Sequence, residues 1–260
     1  MFKSWRLGSV LGFPVEINAS FLILLAVAFF AFGGAMGVFV VGLAFASVLL
    51  HELGHALVAR QLGVPVAGIE LSFFGGAAKM TDVPRRASHE IAIAAAGPIV
   101  SLVLAGLGLG IGLAVHSPFL AMVGWINLVI AGFNLIPALP MDGGRILRAV
   151  LARRMDYVRA TDISVAIARV AAVAFLVWGI WASAIQLIVL APFLWLLGTR
   201  EKLMARAMAP YMTGYASSSA VPVARRIPRD DDWLGRSFGG PDIRRYSIRT
   251  RDGRIVIVEE

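Results

Sequence analysis

The stretch LLHELGHALVARQL, residues 49–62, sets two histidines and a glutamate inside a run that is otherwise nearly all apolar. That run, from about residue 37 to 60, is long enough to cross roughly 30 Å of hydrocarbon as a helix. Placing ionisable groups there costs about 2.5–3.5 kcal/mol each on insertion scales, so their presence demands a use. On a helix His51 and His55, spaced i, i+4, project from one face with Glu52 beside them. Two imidazoles so placed bind Zn²⁺, and the glutamate between them takes a proton from the attacking water. If Arg60 marks the cytoplasmic end of the span, His51 lies about 13 Å deep at 1.5 Å per residue.

Composition agrees with a membrane setting. The 260 residues are 58% hydrophobic and only 15% charged, with a mean hydropathy of +0.79, far from the usage of soluble domains. Further apolar runs fall at about 18–33, 90–114, 119–140 and 163–199, the last long enough for two helices with their turn near WGIWASA, residues 178–184. The expected fold is therefore an all-α polytopic membrane protein with about six transmembrane helices. The short loops near Gly33–Met36, His116–Pro118 and Ala182–Ser183 hold no Lys or Arg, whereas the opposite loops hold many, among them Arg60, Arg86, Arg154 and Arg206. This asymmetry predicts a multi-pass protein of the cell membrane with both termini cytoplasmic. The net charge of +8 accordingly reads as loop charge facing anionic lipid rather than as a nucleic-acid surface. Arg169 stands apart, one to two turns into the fifth run, where snorkelling or a helix start in water accounts for it. No cysteine is present, which removes thiolate metal sites and disulfides.

A catalytic zinc needs a third protein ligand and an open position. His89 and His116 fall at the interface and in an outer loop, which leaves Asp142 in NLIPALPMDGGRILRAV, residues 134–150. Pro137 and Pro140 break the fourth run, and a broken helix at membrane depth is tolerated where it lines a cavity or is buried in protein. The break lets the Asp142 carboxylate turn inward, with Gly143 and Gly144 permitting close backbone approach. The same aspartate also suits the N-cap of the following helix.

With HELGH at 51–55 and NLIPALPMDGG at 134–144, together with the glycine pair 75–76 and AAAGP at 94–98, the chain resembles the site-2 protease family of intramembrane zinc metalloproteases over about residues 10–200. The resemblance implies one zinc per chain on His51, His55 and Asp142, Glu52 as catalytic base, and Asn134 as an aid to the reacting carbonyl. It implies cleavage of transmembrane segments of membrane-anchored proteins. The layout looks like the branch without a PDZ domain, but the 60 residues after Arg200 are too few for the C-terminal CBS pair often found there.

A transmembrane substrate must unwind before it is cut. The segment GIELSFFGGAAKM, residues 68–80, reads as a short hairpin at the membrane edge or else as a plain connecting loop. As a hairpin it offers a strand edge for β-augmentation, with Phe73, Phe74, Gly75 and Gly76 as substrate-binding candidates. Asn127 either lines the same groove or bonds to a neighbouring helix. Residues 1–200 form the expected membrane core and 201–260 a cytoplasmic tail, with a linker over 215–233 and a hairpin about Asp252–Gly253. Two other classes fit less well: a catalytically silent zinc-binding scaffold, for which the intact Glu52 would be superfluous, and a transporter, which the lack of inverted repeats disfavours. The substrate's identity and the oligomeric state have no signature in the sequence.

Overall fold

The computed structural model describes residues 4–212 apart from 32, 74, 83 and 85, together with Tyr215, 246–251 and 254–259. Among the described residues are seven α-helices and six strands. Strands β1 (Ser4–Val10) and β2 (Phe13–Asn18) are antiparallel, joined through Leu11 and Gly12, both at positive φ. Helices α1 (Ala19–Ala31) and α2 (Ala35–Gln61) follow. Strand β3 (Val66–Ser72) then pairs parallel with β2, and β4 (Gly75–Met80) pairs antiparallel with β3, giving the order β1-β2-β3-β4. The expected mostly helical chain with one short hairpin thus gains β1 and β2, which join β3 and β4 in a four-stranded sheet. The alternation of Phe13 and Val15, both buried, with half-buried Pro14 and Glu16 is the period-2 pattern of a half-buried strand. It was masked by the long apolar run that starts directly after Asn18.

The sheet rests on α2. Phe13 and Ile69 pack with Leu53 and Ala56, while Val15 and Leu71 pack with Phe21 and Phe45. This sets the β3–β4 hairpin beside the HELGH turn. Helix α3 (Ala87–Ala114) crosses α2 at close range: a Cβ on Gly54 would lie 2.9 Å from the Ala96 carbonyl oxygen. Small residues that let backbones meet replace hydrophobic driving force between helices in lipid. The same device joins α3 to α4 (Pro118–Asn134), where Gly108 and Gly124 leave no room for side chains.

Helix α4 stops at Asn134, ahead of both prolines of the expected fourth run, and residues 135–141 turn back before α5 (Asp142–Leu151). A Cβ on Gly143 would lie 2.5 Å from the Ile136 carbonyl oxygen, so the turn folds onto the start of α5 as only glycine allows. Helices α6 (Tyr157–Trp181) and α7 (Ile185–Met208) form a tight pair whose connection falls at Ala182–Ala184, and α7 continues past residue 200. Helices α2, α3 and α6 are long and apolar enough to cross a membrane, and α1 and α4 are shorter apolar helices.

A buried ionic cluster ties the ends of these helices together. Arg148 on α5 donates to Glu90 on α3 from Nε at 2.9 Å and to Glu201 on α7 at 3.0 Å, and it stacks on Tyr157. Tyr215, beyond α7, donates its hydroxyl to the other oxygen of Glu90. Residues 221–260 form a second compact unit. In it β5 (Tyr246–Arg251) and β6 (Arg254–Glu259) pair antiparallel. Asp252 and Gly253, and the linker apart from Tyr215, lie outside the described residues.

Candidate metal centre and active site

Three elements converge on one point. His51 and His55 come from one face of α2, at the level where it crosses α3, and Asp142 is the first residue of α5. One Asp142 oxygen, Oδ2, lies 3.1 Å from His51 Nε2 and 3.2 Å from His55 Nε2, and the two Nε2 atoms are 3.2 Å apart. Asp142 makes no capping bond to its own helix, Met141 being the N-cap residue, so of the two roles open to it the carboxylate takes the one facing the histidines. All three residues are buried.

Each imidazole is held by its other nitrogen. His55 Nδ1 is 2.6 Å from the Ile93 carbonyl oxygen. A carbonyl only accepts, so Nδ1 carries a proton and Nε2 is the nitrogen left to serve as a metal donor. His51 Nδ1 is 2.9 Å from the fully buried Ser101 hydroxyl. Outer partners of this kind fix ring orientation and tautomer at metal sites. Ser101 and Ile93 sit on α3 either side of Gly97, and Gly97 faces the histidines: a Cβ there would lie 2.6 Å from His51 Nε2 and closer still to His55 Nε2. The three donors fit zinc. Ligands about 2.0–2.1 Å from a common tetrahedral centre stand roughly 3.3 Å apart, close to the observed triangle, and the nitrogen and carboxylate donor set is that of catalytic rather than structural zinc.

Glu52 belongs to the same cluster, with a carboxylate oxygen within 4.8 Å of the histidine nitrogens. It does not close the triangle, because its Oε2 accepts a 3.0 Å hydrogen bond from the Ala78 main-chain N–H of β4. The strand gets this near because of Gly76, where a Cβ would lie 2.8 Å from Glu52 Cγ and 2.8 Å from Val48 Cγ1. The Ala78 bond also shows that its N–H points away from β3. Backbone groups alternate along a strand, so Gly76 turns the same way, and β4 is the outer strand of its sheet.

Beside this edge lies a cavity of about 790 Å³, with Phe73, Gly76, Asn134, Met141 and Arg145 in its lining and α7 as its far wall. Asn134 Nδ2 donates to the Ile130 carbonyl at 3.0 Å. Among the expected site residues, His51, His55, Glu52 and Asp142 are brought together, and Phe73, Gly76 and Asn134 share the neighbouring cavity. Gly75 pairs with Ser72 at the hairpin end, and Phe74 lies outside the described residues. Asn127 is fully buried and donates to Ser47 on α2 at 3.0 Å, which puts it in a helix interface. His89 and His116 take no part in the cluster. Sequence reasoning reaches Gly97 only as part of AAAGP, with no role attached, and misses Ser101, Ile93 and Ala78. A serine four residues after the glycine of AAAGP, inside an apolar helix, was the one available signal.

Fold and site together define a helical membrane protein with a buried three-donor metal centre and a carboxylate aimed beside it. The model for peptidase family M50 matches residues 38–117 and 113–178, and the chain belongs to that family. It is 36% identical over 215 residues to zinc metalloprotease MJ0392 of Methanocaldococcus jannaschii, covering 75% of this chain and 59% of the relative. It is 30% identical over 116 residues to stage IV sporulation protein FB of Bacillus subtilis, covering 44% of this chain and 40% of the relative. Among solved structures, the site-2 protease from Methanocaldococcus jannaschii superposes with a TM-score of 0.62 at 34% identity, over 77% of this chain and 95% of that one. The chain therefore spans at most about three fifths of the length of these curated relatives.

Proposed function

We propose that the chain is an intramembrane zinc metalloprotease that cleaves transmembrane segments of membrane-anchored proteins. The observation that carries this reading is the triangle of His51, His55 and Asp142 with Glu52 held beside it by β4. In the proposal these three residues hold one zinc, which supplies Lewis acidity for hydrolysis of a peptide bond. Glu52 takes the proton of the attacking water on its carboxylate and passes it to the leaving amine. Its bond from Ala78 fixes the direction in which that carboxylate is presented. Asn134, in the wall of the adjoining cavity, swings its amide from the Ile130 carbonyl to the oxyanion that develops on the substrate.

The outward edge of β4 at Gly76, beside the Ala78 amide that holds Glu52, receives the substrate in extended form, with Phe73 and Gly75 shaping the turn beside it. Burial of the donor triangle and the apolar surface of α2, α3 and α6 support a site below the membrane surface. The remaining apolar helices, α1, α4 and α7, complete a six-span core in this reading. Both termini are on the cytoplasmic side, the hairpin sits at the membrane edge, and residues 201–260 form the tail.

The test is co-expression of the wild-type chain, or Glu52→Gln, with tagged membrane-anchored candidates. Wild type should release a fragment cut within the span, and Glu52→Gln should release none while retaining one zinc per chain. Fragment release by Glu52→Gln at wild-type rates would refute the base assignment. A zinc-loaded wild type that cuts no membrane-anchored protein would favour the scaffold reading.

A further inference from the structure

Arg169 lies in the middle of α6, between buried Ala168 and exposed Val170. Its guanidinium stacks on Trp195 of α7 at 4.7 Å, yet its buried Nε has no hydrogen-bond partner, and among the described residues no carboxylate pairs with it. An ionisable group at such a depth is costly and calls for a partner. The neighbouring acid, Asp162, is already committed to Lys202 at 3.0 Å and Arg206 at 3.8 Å. Arg169 also closes one end of an open groove of about 810 Å³ along one face of α6, lined by Val173, Val177, Trp178 and Trp181 of that helix and by Trp195 of α7. From Arg169 to Trp181 the groove runs about 18 Å at 1.5 Å per residue, comparable with half of a 30 Å hydrocarbon core.

We infer that this groove is a binding site for one anionic phospholipid, its phosphate paired with Arg169 and an acyl chain laid along the valine and tryptophan wall. Three observations favour this occupant. The groove is apolar along its length and cationic at one end, which matches a lipid and not a soluble ligand. The charged end lies on the side of the Asp162–Lys202 pair, the polar end of this helix pair. Side chains on a helix lean toward its N-terminus, so Arg169 reaches in that same direction, toward the headgroups. A planar guanidinium held on an aromatic face keeps its fork of donors for a phosphate. The inference rests on the chain residing in a bilayer and not on its cutting anything.

The tryptophans make the site readable. The full chain, purified in detergent, is titrated with dibrominated phosphatidylglycerol or dibrominated phosphatidylcholine, and contact quenching of tryptophan fluorescence is followed. Wild type should half-quench at about fivefold less phosphatidylglycerol than phosphatidylcholine. Arg169→Gln should abolish that preference, and Arg169→Lys should keep part of it. Val173→Trp, which fills the groove while leaving the charge, should remove the quenching itself. Trp178→Phe combined with Trp181→Phe should remove most of its amplitude, which places the lipid. Retained zinc shows that each variant is folded. Equal quenching by the two lipids in wild type, or an unchanged preference in Arg169→Gln, would overturn the inference. So would a transmembrane peptide with one mid-span aspartate that displaces the brominated lipid and is not displaced by it, since the groove would then belong to a partner helix.

Discussion

Replacing Gly97 by alanine tests whether the metal centre depends on an empty place on α3. The added Cβ would sit 2.6 Å from His51 Nε2, where ordinary contact begins at 3.4 Å, so the ring must retreat by about 0.8 Å. The helices cannot separate to absorb this cheaply, because Gly54 already brings α2 against the Ala96 carbonyl. Both rings are also pinned from behind, by Ser101 and by the Ile93 carbonyl. A misplacement near 1 Å in a preorganised site costs on the order of 100-fold, so zinc affinity should fall about 10- to 100-fold, or roughly 1.4–2.7 kcal/mol. The assay is zinc retained by the purified full chain after dialysis against graded chelator. Gly106→Ala is the control, on the same helix with open space around the glycine, and it should retain zinc as wild type does. Wild-type affinity in a folded Gly97→Ala, within about threefold, would refute the reasoning.

Ser101→Ala leaves His51 Nδ1 without its partner and should weaken zinc by about tenfold, measured in the same chelator competition. The Lys79 ammonium, with the Asn18 amide, holds the Glu70 carboxyl below its usual range, and Glu70 in turn raises Lys79. The pair's stabilisation is therefore present between the ordinary values, 4.5 and 10.5, and is lost as pH falls through the lowered Glu70 value or rises through the raised Lys79 value. The pair is partly exposed, so it contributes under about 1 kcal/mol. The melting-temperature gap between wild type and Glu70→Gln should shrink from pH 7 to pH 3, and a constant gap would contradict the assignment. Reporter fusions after Met36, Ser117 and Ser183 should read the outer side and fusions after Arg154 and Arg206 the cytoplasm, and a cytoplasmic reading at Ser117 would contradict six spans.

The parts of the site legible in the sequence were those that are expensive in hydrocarbon. Two histidines and a glutamate on an apolar helix, and an aspartate behind two prolines, announce themselves because nothing but use keeps them there. Gly97 was hidden for the opposite reason: its contribution is room, and in a chain with 27 glycines room for a histidine ring looks like room for another helix. The Ile93 carbonyl and the Ala78 amide were hidden because main-chain groups leave no residue identity to read. Strands β1 and β2 were missed because their short alternating pattern runs straight into α1, and the parallel pairing of β2 with β3 spans the whole of α1 and α2. The sequence leaves Asn127 either in the groove or in a helix interface, and the deciding partner, a serine on α2, is 80 positions away.

The bond that aims Glu52 comes from an amide rather than a side chain, and substitution at Ala78 other than by proline leaves it in place. What sets it is the alignment of one strand against another. A slip of β4 by one residue along β3 would put Ala77 or Lys79 in the place of Ala78 and turn every β4 side chain to the opposite face, so the fit of the strand against Glu52 would be lost. The HELGH sequence would then be intact and its base misdirected. A screen for inactive variants should for this reason find positions in β3 and in the turn after Ser72 whose zinc content and stability are ordinary. Such variants would behave as errors of register, curable by a second change that restores the turn and not by any change on α2.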